Sequence, residues 1–356
     1  MEKERHYYEH IVGVQTEEEG AQSEDRLQGL FESKLSDIDE FELEKTQEDL
    51  EIIKITESIV DRIVLEYGGK PKSLPIDNVY LLTPNKLLEY SKGKFAGGLH
   101  NPLSSKIIVE RNQSTVVFAS TLAHEMFHLK GYKSARIGKS GSDIHLYRSG
   151  ITMVNRKDIE AEVGEEKEYF TVLEEAIVSE CVRQFLDILA EENAINEELI
   201  AFNQIRDYIS KYYESIGVDE MRIKVFEQEL KYIENSPQIL EEIISYSEIE
   251  EERQGYASGM YDNLIKQDKE KVITLERYLE RQKMYDLLDN IVSKSNGKFE
   301  YGEVFDKLAH SHFSGNYLPF ARIVEEVLGK GEFRKLAKEF SYLLEQEDNT
   351  EETKDK

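Results

Sequence analysis

Apolar positions along the chain follow strand-like and helical spacings at first, and only helical ones later. Leu50, Ile53, Ile59, Ile63 and Val64 recur at near-helical intervals and stop at Gly68-Gly69, which predicts a helix. Three short stretches of strand character follow. The first runs from Asp77 to Leu82, with Val79 and Leu81 on one face. The second lies around Phe95-Ala96-Gly97-Gly98, and the third is Lys106–Glu110, where β-branched residues dominate. Thr83-Pro84-Asn85 breaks the first strand and opens a short helix. Ser114 to Lys130 reads as a helix stopped by Gly131. Residues 131–145, rich in Gly, Ser and Lys, read as a loop, and Tyr147 to Val154 as a further strand. Glu165 to Ala190 reads as a long helix with apolar residues at 173, 176, 177, 181, 185 and 188.

Beyond about residue 193 only the helical pattern persists, over 197–214, 219–234, 238–265, 268–294 and 319–345. The expected fold class is α+β. An acidic, partly disordered segment (1–45) precedes a mixed helix–strand domain with a small mixed sheet (46–192). An all-helical C-terminal domain (193–345) and an acidic tail (346–356) follow.

Composition narrows the function. Of 356 residues 39% are hydrophobic, enough for a sizeable core. There are 72 acidic and 45 basic side chains, a net charge of -27. Such a field repels phosphate backbones and anionic lipid surfaces, so neither nucleic acid nor a membrane is expected as a partner. Cys181 is the single cysteine, which excludes an intramolecular disulfide; it falls in the apolar stripe of the 165–190 helix and reads as a buried structural thiol. The opening residues Met1–His6 are charged and lack the apolar run of a signal peptide. No stretch approaches the roughly eighteen apolar residues of a membrane span. These features together lead to the expectation of a soluble, cytoplasmic protein.

The chemistry is concentrated in Thr121-Leu122-Ala123-His124-Glu125-Met126-Phe127-His128-Leu129. Positions i and i+4 of a helix lie one turn apart on one face, so His124 and His128 can present both imidazoles to one metal ion. Glu125 lies one step round, beside the ion, where it can take a proton from an attacking water. Leu122, Met126 and Leu129 would turn the opposite side to the core. A catalytic zinc site needs a third protein ligand. The 165–190 helix carries Leu173-Glu174-Glu175-Ala176, acids inside an apolar run, for which metal ligation is one reason and a hydrogen-bonded supporting role another.

These two helices resemble those of the gluzincin, thermolysin-like branch of the zincin metallopeptidases, which join a His-Glu-x-x-His helix to a later helix bearing a ligand Glu in an Asn-Glu-Ala-type sequence. The likeness covers roughly residues 75 to 190. It implies Zn2+ as cofactor, a peptide or protein as substrate, His124, His128 and Glu175 as zinc ligands and Glu125 as general base. Glu174 stands where the family's Asn would be, and Ser179 where the family often has an acid that orients a zinc histidine. Tyr147-Arg148-Ser149-Gly150-Ile151 is similar to an Arg-x-Gly-Ile/Leu stretch between the two helices of small relatives. The group also uses a Tyr or His to stabilise the oxyanion. Tyr147, His145, Tyr169, Tyr256, His310 and His312 are candidates, none fixed by spacing, with Tyr147 preferred for its position between the zinc helices. The His310–His312 pair reads otherwise as a surface pair. The helical C-terminal domain is expected to cap the cleft or bind a partner protein. The alternative function is a metal-binding zincin-fold protein with a regulatory or scaffold role and no peptidase activity.

Overall fold

The computed structural model describes residues 10–12, 38, 41–90, 97–101, 106–111, 115–137, 144–156, 166–191 and 277–341. In chain order these form β1 (His10–Val12), α1 (Gln47–Glu66), β2 (Val79–Leu82), α2 (Pro84–Tyr90), β3 (Gly98–Asn101), β4 (Lys106–Glu110), α3 (Thr115–Lys130), β5 (Lys133–Ile137), β6 (Ile144–Ser149), β7 (Thr152–Arg156), β8 (Glu166–Tyr169), α4 (Thr171–Glu191), α5 (Tyr278–Lys294), α6 (Tyr301–Ser314), α7 (Leu318–Val327) and α8 (Glu332–Glu339). The fold is α+β, as its patterning predicts, and among the described residues no helix is long and apolar enough to cross a membrane.

Local chemistry sets the boundaries. Thr46 begins α1 with a reciprocal cap: its hydroxyl accepts from the Asp49 amide at 3.1 Å, and its own amide donates to the Asp49 carboxylate at 2.9 Å. Asp49 is also held by Arg111 Nε at 2.6 Å, which ties the start of α1 to the end of β4. β2 and β4 are parallel and β3 is antiparallel to β4, in the order β2-β4-β3. β3 is therefore an edge strand.

The second sheet was not legible. It has five strands in the order β1-β5-β6-β7-β8. The 131–145 stretch, expected as a loop, contains β5 and the start of β6, and β5 pairs antiparallel with β6 and parallel with β1. Lys133 and Ser134 hide this strand because they are polar yet buried; its stability comes from pairing on both edges, not from composition. The single strand expected at Tyr147–Val154 is a hairpin, turned at Gly150 with φ 54°. The start of the expected Glu165–Ala190 helix is strand β8, and the helix begins after Phe170, whose φ is 65°. In the acidic N-terminal segment His10–Val12 forms β1, and Ile38 is fully buried against Tyr80, Leu82, Leu87 and Ile108.

α3 packs on α1, α4, β3 and β4, and it is buried on every side from Val116 to Lys130. The amphipathic helix expected from the sequence is thus corrected to a fully enclosed one. Lys130 is enclosed because its ammonium reaches Glu57 at 3.1 Å, and also Asp61, both on α1. Ile53 and Val60 of α1, Leu122 and Met126 of α3, and Ile177 and Phe185 of α4 share one hydrophobic core with Met284, Leu308, Phe320 and Val324 of the C-terminal helices.

The C-terminal expectations fare unevenly. Those at 197–214, 219–234 and 238–265 lie outside the described residues. Within 268–294 the described helix is α5. The helix expected over 319–345 is two helices, α7 and α8, separated by a turn with Gly329 at φ 121° and Gly331 at φ 92°. α6 was not anticipated.

Arg148 binds the β6–β7 hairpin to α6. Its guanidinium donates to the carbonyls of Gly150 (2.8 Å), Ser311 (2.9 Å) and Gly315 (2.5 Å), and it lies 5.0 Å from the ring centres of both Tyr132 and Tyr317. Arg148→Ala leaves these carbonyls without their charged donor, so unfolding free energy in urea should fall by about 3 kcal/mol. A change within about 0.5 kcal/mol of zero, the range of an ordinary surface substitution, would show the clamp to be redundant.

Candidate metal centre

His124 and His128 stand one turn apart on α3, and their Nε2 atoms approach to 3.2 Å. α4 crosses α3 and brings Glu175 to them: Oε2 is 3.4 Å from His124 Nε2, and Oε1 is 3.4 Å from His128 Nε2. One donor atom from each residue lies within 4.8 Å of the other two. Two imidazoles and a carboxylate are the donors zinc favours, and a tetrahedral ion with bonds near 2.05 Å separates its ligand atoms by about 3.3 Å. The 3.2 Å between the two Nε2 atoms matches that edge length, and the Glu175 carboxylate approaches the two imidazoles to 3.4 Å through different oxygens. The surroundings also fit: Glu175 Oε2 is buried, with ion-pair approaches at 3.4 Å from His124 and Arg277. A carboxylate buried among imidazoles is costly without positive charge beside it, and a cation held by these donors would supply that charge.

The adjacent acids divide the work. Glu175 faces both imidazoles. Glu174 lies behind, with Oε1 3.2 Å from His128 Nδ1 and Oε2 accepting from the Thr152 amide at 2.9 Å. Burial pushes the Glu174 carboxyl up, but the His128 and Thr152 hydrogen bonds and nearby His312 hold it below the usual range. An ionised carboxylate can only accept, so Nδ1 of His128 donates and Nε2 is the atom turned to the cluster. Glu175 behaves in the same way: burial raises its pKa, and the charge of His128 with the hydrogen bonds of both histidines brings it well below normal.

Glu125, one residue on from His124, places its Oε2 3.1 Å from His100 Nδ1. Burial acts to raise its pKa; the His100 hydrogen bond and the surrounding imidazoles outweigh it, and the carboxyl stays ionised. His100 stacks on His128 with ring centres 4.8 Å apart and planes 8° from parallel. It comes from β3, and its only sequence signal was its place two residues after Gly98, at the end of a stretch of strand character.

The side chain of His145 lies outside the described residues, and Tyr147 and His310 are not drawn in. Tyr147 is 47% exposed on β6, and strand alternation turns Arg148 inward in its place. His310 is engaged with the Tyr67 carbonyl at 2.9 Å, and Tyr256 lies outside the described residues. His310 and His312 are no surface pair. His312 is fully buried, with its pKa driven down by burial to about 4 and Nε2 3.4 Å from the Phe127 carbonyl. A Cβ on Gly150 would lie 2.2 Å from His312 Nδ1 and 3.1 Å from Glu174 Cδ, so the hairpin turn, α6 and the supporting acid meet at a point where only glycine fits. Ser179 is buried, and Glu180, the acid beyond it, serves Arg183 (2.7 Å) and Tyr285 (2.5 Å) instead of a zinc histidine. Arg277, unforeseen, approaches Glu175 Oε2 to 3.4 Å from the start of α5.

No family model, curated protein or solved structure matches the chain.

Two predictions follow from these contacts. Glu175→Ala should abolish tight zinc binding, while Glu174→Gln, which leaves all three donors in place, should weaken it about 10- to 100-fold in a chelator competition. Equal losses would contradict the division of roles. The second concerns protons. Burial lowers the His128 pKa, but Glu175 and Glu174 overcome this and push it up to about 10 from an ordinary 6.5. A raised folded-state pKa stabilises the metal-free fold most fully below 6.5 and loses that contribution as pH rises through about 10. At neutral pH zinc must displace this proton, so binding should release about one proton per ion and tighten about tenfold per pH unit. Calorimetry in buffers of differing ionisation enthalpy measures the release; none at all would mean that His128 is neutral in the metal-free chain.

Proposed function

We propose that this protein is a zinc-dependent metallopeptidase, with His124, His128 and Glu175 as metal ligands and Glu125 as general base. The observation that carries the reading is the convergence of those three donors within 4.8 Å, on two crossing helices, with an ionised carboxylate one residue away. The resemblance to gluzincins in the order of elements and in Glu174-Glu175-Ala176 supports it. A zinc ion would supply Lewis acidity, polarising the scissile carbonyl and making water acidic near ~7. The chain does the rest. Glu125 accepts the proton of the attacking water and returns it to the leaving amine. Glu174 and the Thr152 amide hold His128 in the tautomer that offers Nε2. Arg277 is the cation that approaches Glu175, and in this reading it is placed to oppose negative charge as it develops. A peptide or protein substrate in the cytoplasm belongs to the same proposal, with the acidic surface and the single buried thiol in its support.

A second reading, a metal-binding regulator or scaffold without turnover, is favoured by the burial of the centre: His124, Glu125 and His128 are only 6%, 8% and 4% exposed. One experiment separates the two. Purified protein should carry about one zinc per chain by elemental mass spectrometry. It should cleave members of a peptide library, and Glu125→Gln should lower kcat by roughly 10²- to 10⁴-fold with zinc retained. Zinc without any cleavage would favour the second reading, and no zinc after dialysis against it would overturn both.

A further inference from the structure

Glu125 has two neighbours that zinc ligation does not require, and both come from one strand. β3 is the edge of its sheet and packs against α3. Gly98 and His100 are two residues apart in it, so they share a face. That face is turned to Glu125. A Cβ on Gly98 would lie 2.9 Å from Glu125 Cγ, Glu125 Oε1 and Thr121 Cγ2, so the carboxylate arm, with the Thr121 methyl beside it, rests where any other side chain would stand. His100 Nδ1 meets the other oxygen, Oε2, at 3.1 Å. The imidazole plane is itself set by stacking on His128, 4.8 Å away, which fixes the direction in which Nδ1 donates.

We propose that Gly98 and His100 form a cradle for the general base, with His100 a positioning residue that holds the Glu125 carboxylate beside the His124–His128–Glu175 cluster. Its kinetic consequences rest on the peptidase reading; its geometry does not. A glutamate arm turns about three torsions, and a base that must meet both an attacking water and a leaving amine loses rate when its carboxylate wanders. The glycine removes the obstacle on one side and the imidazole supplies a donor on the other. An ionised carboxylate offers roughly four acceptor positions, so a hydrogen bond from His100 leaves room for the proton it must take.

The test uses zinc-loaded full-length protein with His100→Ala, His100→Asn and Gly98→Ala. Gly98 does not have a positive φ, so alanine there challenges the Glu125 and Thr121 side chains and not the backbone. His100→Ala and Gly98→Ala should each lower kcat about 10- to 100-fold, with KM and zinc content unchanged. His100→Asn, whose amide donates from about the place of Nδ1, should recover most of the loss. In a crystal structure of zinc-loaded His100→Ala the Glu125 carboxylate should be displaced by about 1 Å or more, the scale of misplacement that costs such factors. An unmoved Glu125 would overturn the proposal. So would an asparagine variant as impaired as alanine, which would leave only packing, or loss of zinc from His100→Ala, which would make His100 a support of the metal. If wild-type protein binds zinc and cleaves no peptide, the peptidase reading fails alone, and the displacement of Glu125 still decides the cradle.

Discussion

The imidazole of His128 is held between two carboxylates, Glu174 at Nδ1 (3.2 Å) and Glu175 at Nε2 (3.4 Å), inside a helix that no side of which meets solvent. Burying a charge without a partner is prohibitively costly, so none of these three groups could occupy its place alone. The cost is met collectively. Each carboxylate is kept ionised by the imidazoles, and the imidazole is kept protonated by the carboxylates. In the metal-free chain a proton thus stands where a divalent ion would later stand. A bound ion would satisfy the same carboxylates, because it too would place positive charge at that point.

This constraint accounts for the position of α3 in the fold. α1 covers one side, α4 another, and the three-stranded sheet a third. The C-terminal helices complete the enclosure through Arg148, which joins the β6–β7 turn to α6, and through His312, which sits against Gly150 and Glu174. Glu174 therefore touches the candidate ligand on one side and lies close to the C-terminal helices on the other. A shift of α6 would be felt at His128 through a chain of contacts with no slack, since a single added carbon at Gly150 already collides with the ring.

The sequence made the motif-bearing helices legible because their chemistry is local. His124, Glu125 and His128 lie within a single turn and a half, and the apolar run around them predicts a helix whatever surrounds it. Glu175 was reached through the resemblance, and the ambiguity with Glu174 was one of direction: adjacent helical residues point about 100° apart, and only the crossing with α3 decides which meets Nε2. The parts that were missed depend on partners distant in sequence. β5 is polar and is a strand because β1 and β6 flank it. His100 is unremarkable until β3 is laid against α3. Arg277 lies 102 positions beyond the glutamate it approaches, in a helix whose pattern gave no hint of function. The fully buried character of α3 was not legible for a related reason: the sequence separates a catalytic face from a core face, and only the packing shows that the polar face is enclosed too.

If the protein is the peptidase proposed, burial bears on catalysis as well as on stability. A low-dielectric site strengthens every interaction between Glu125, the histidines and any substrate carbonyl, and it does so without reorganisation at the moment of reaction. It would also require a substrate to reach a centre whose three motif residues show little surface. β3 reconciles these demands. As an edge strand it has main-chain donors and acceptors open on one side, where an extended peptide can add by backbone pairing, while its other contacts hold Glu125 through Gly98 and His100. A peptide laid along that edge would approach the base along the strand that positions it. Substrate alignment and base alignment would then be set by the same stretch of backbone between Gly98 and His100, and an error in one would be shared by the other.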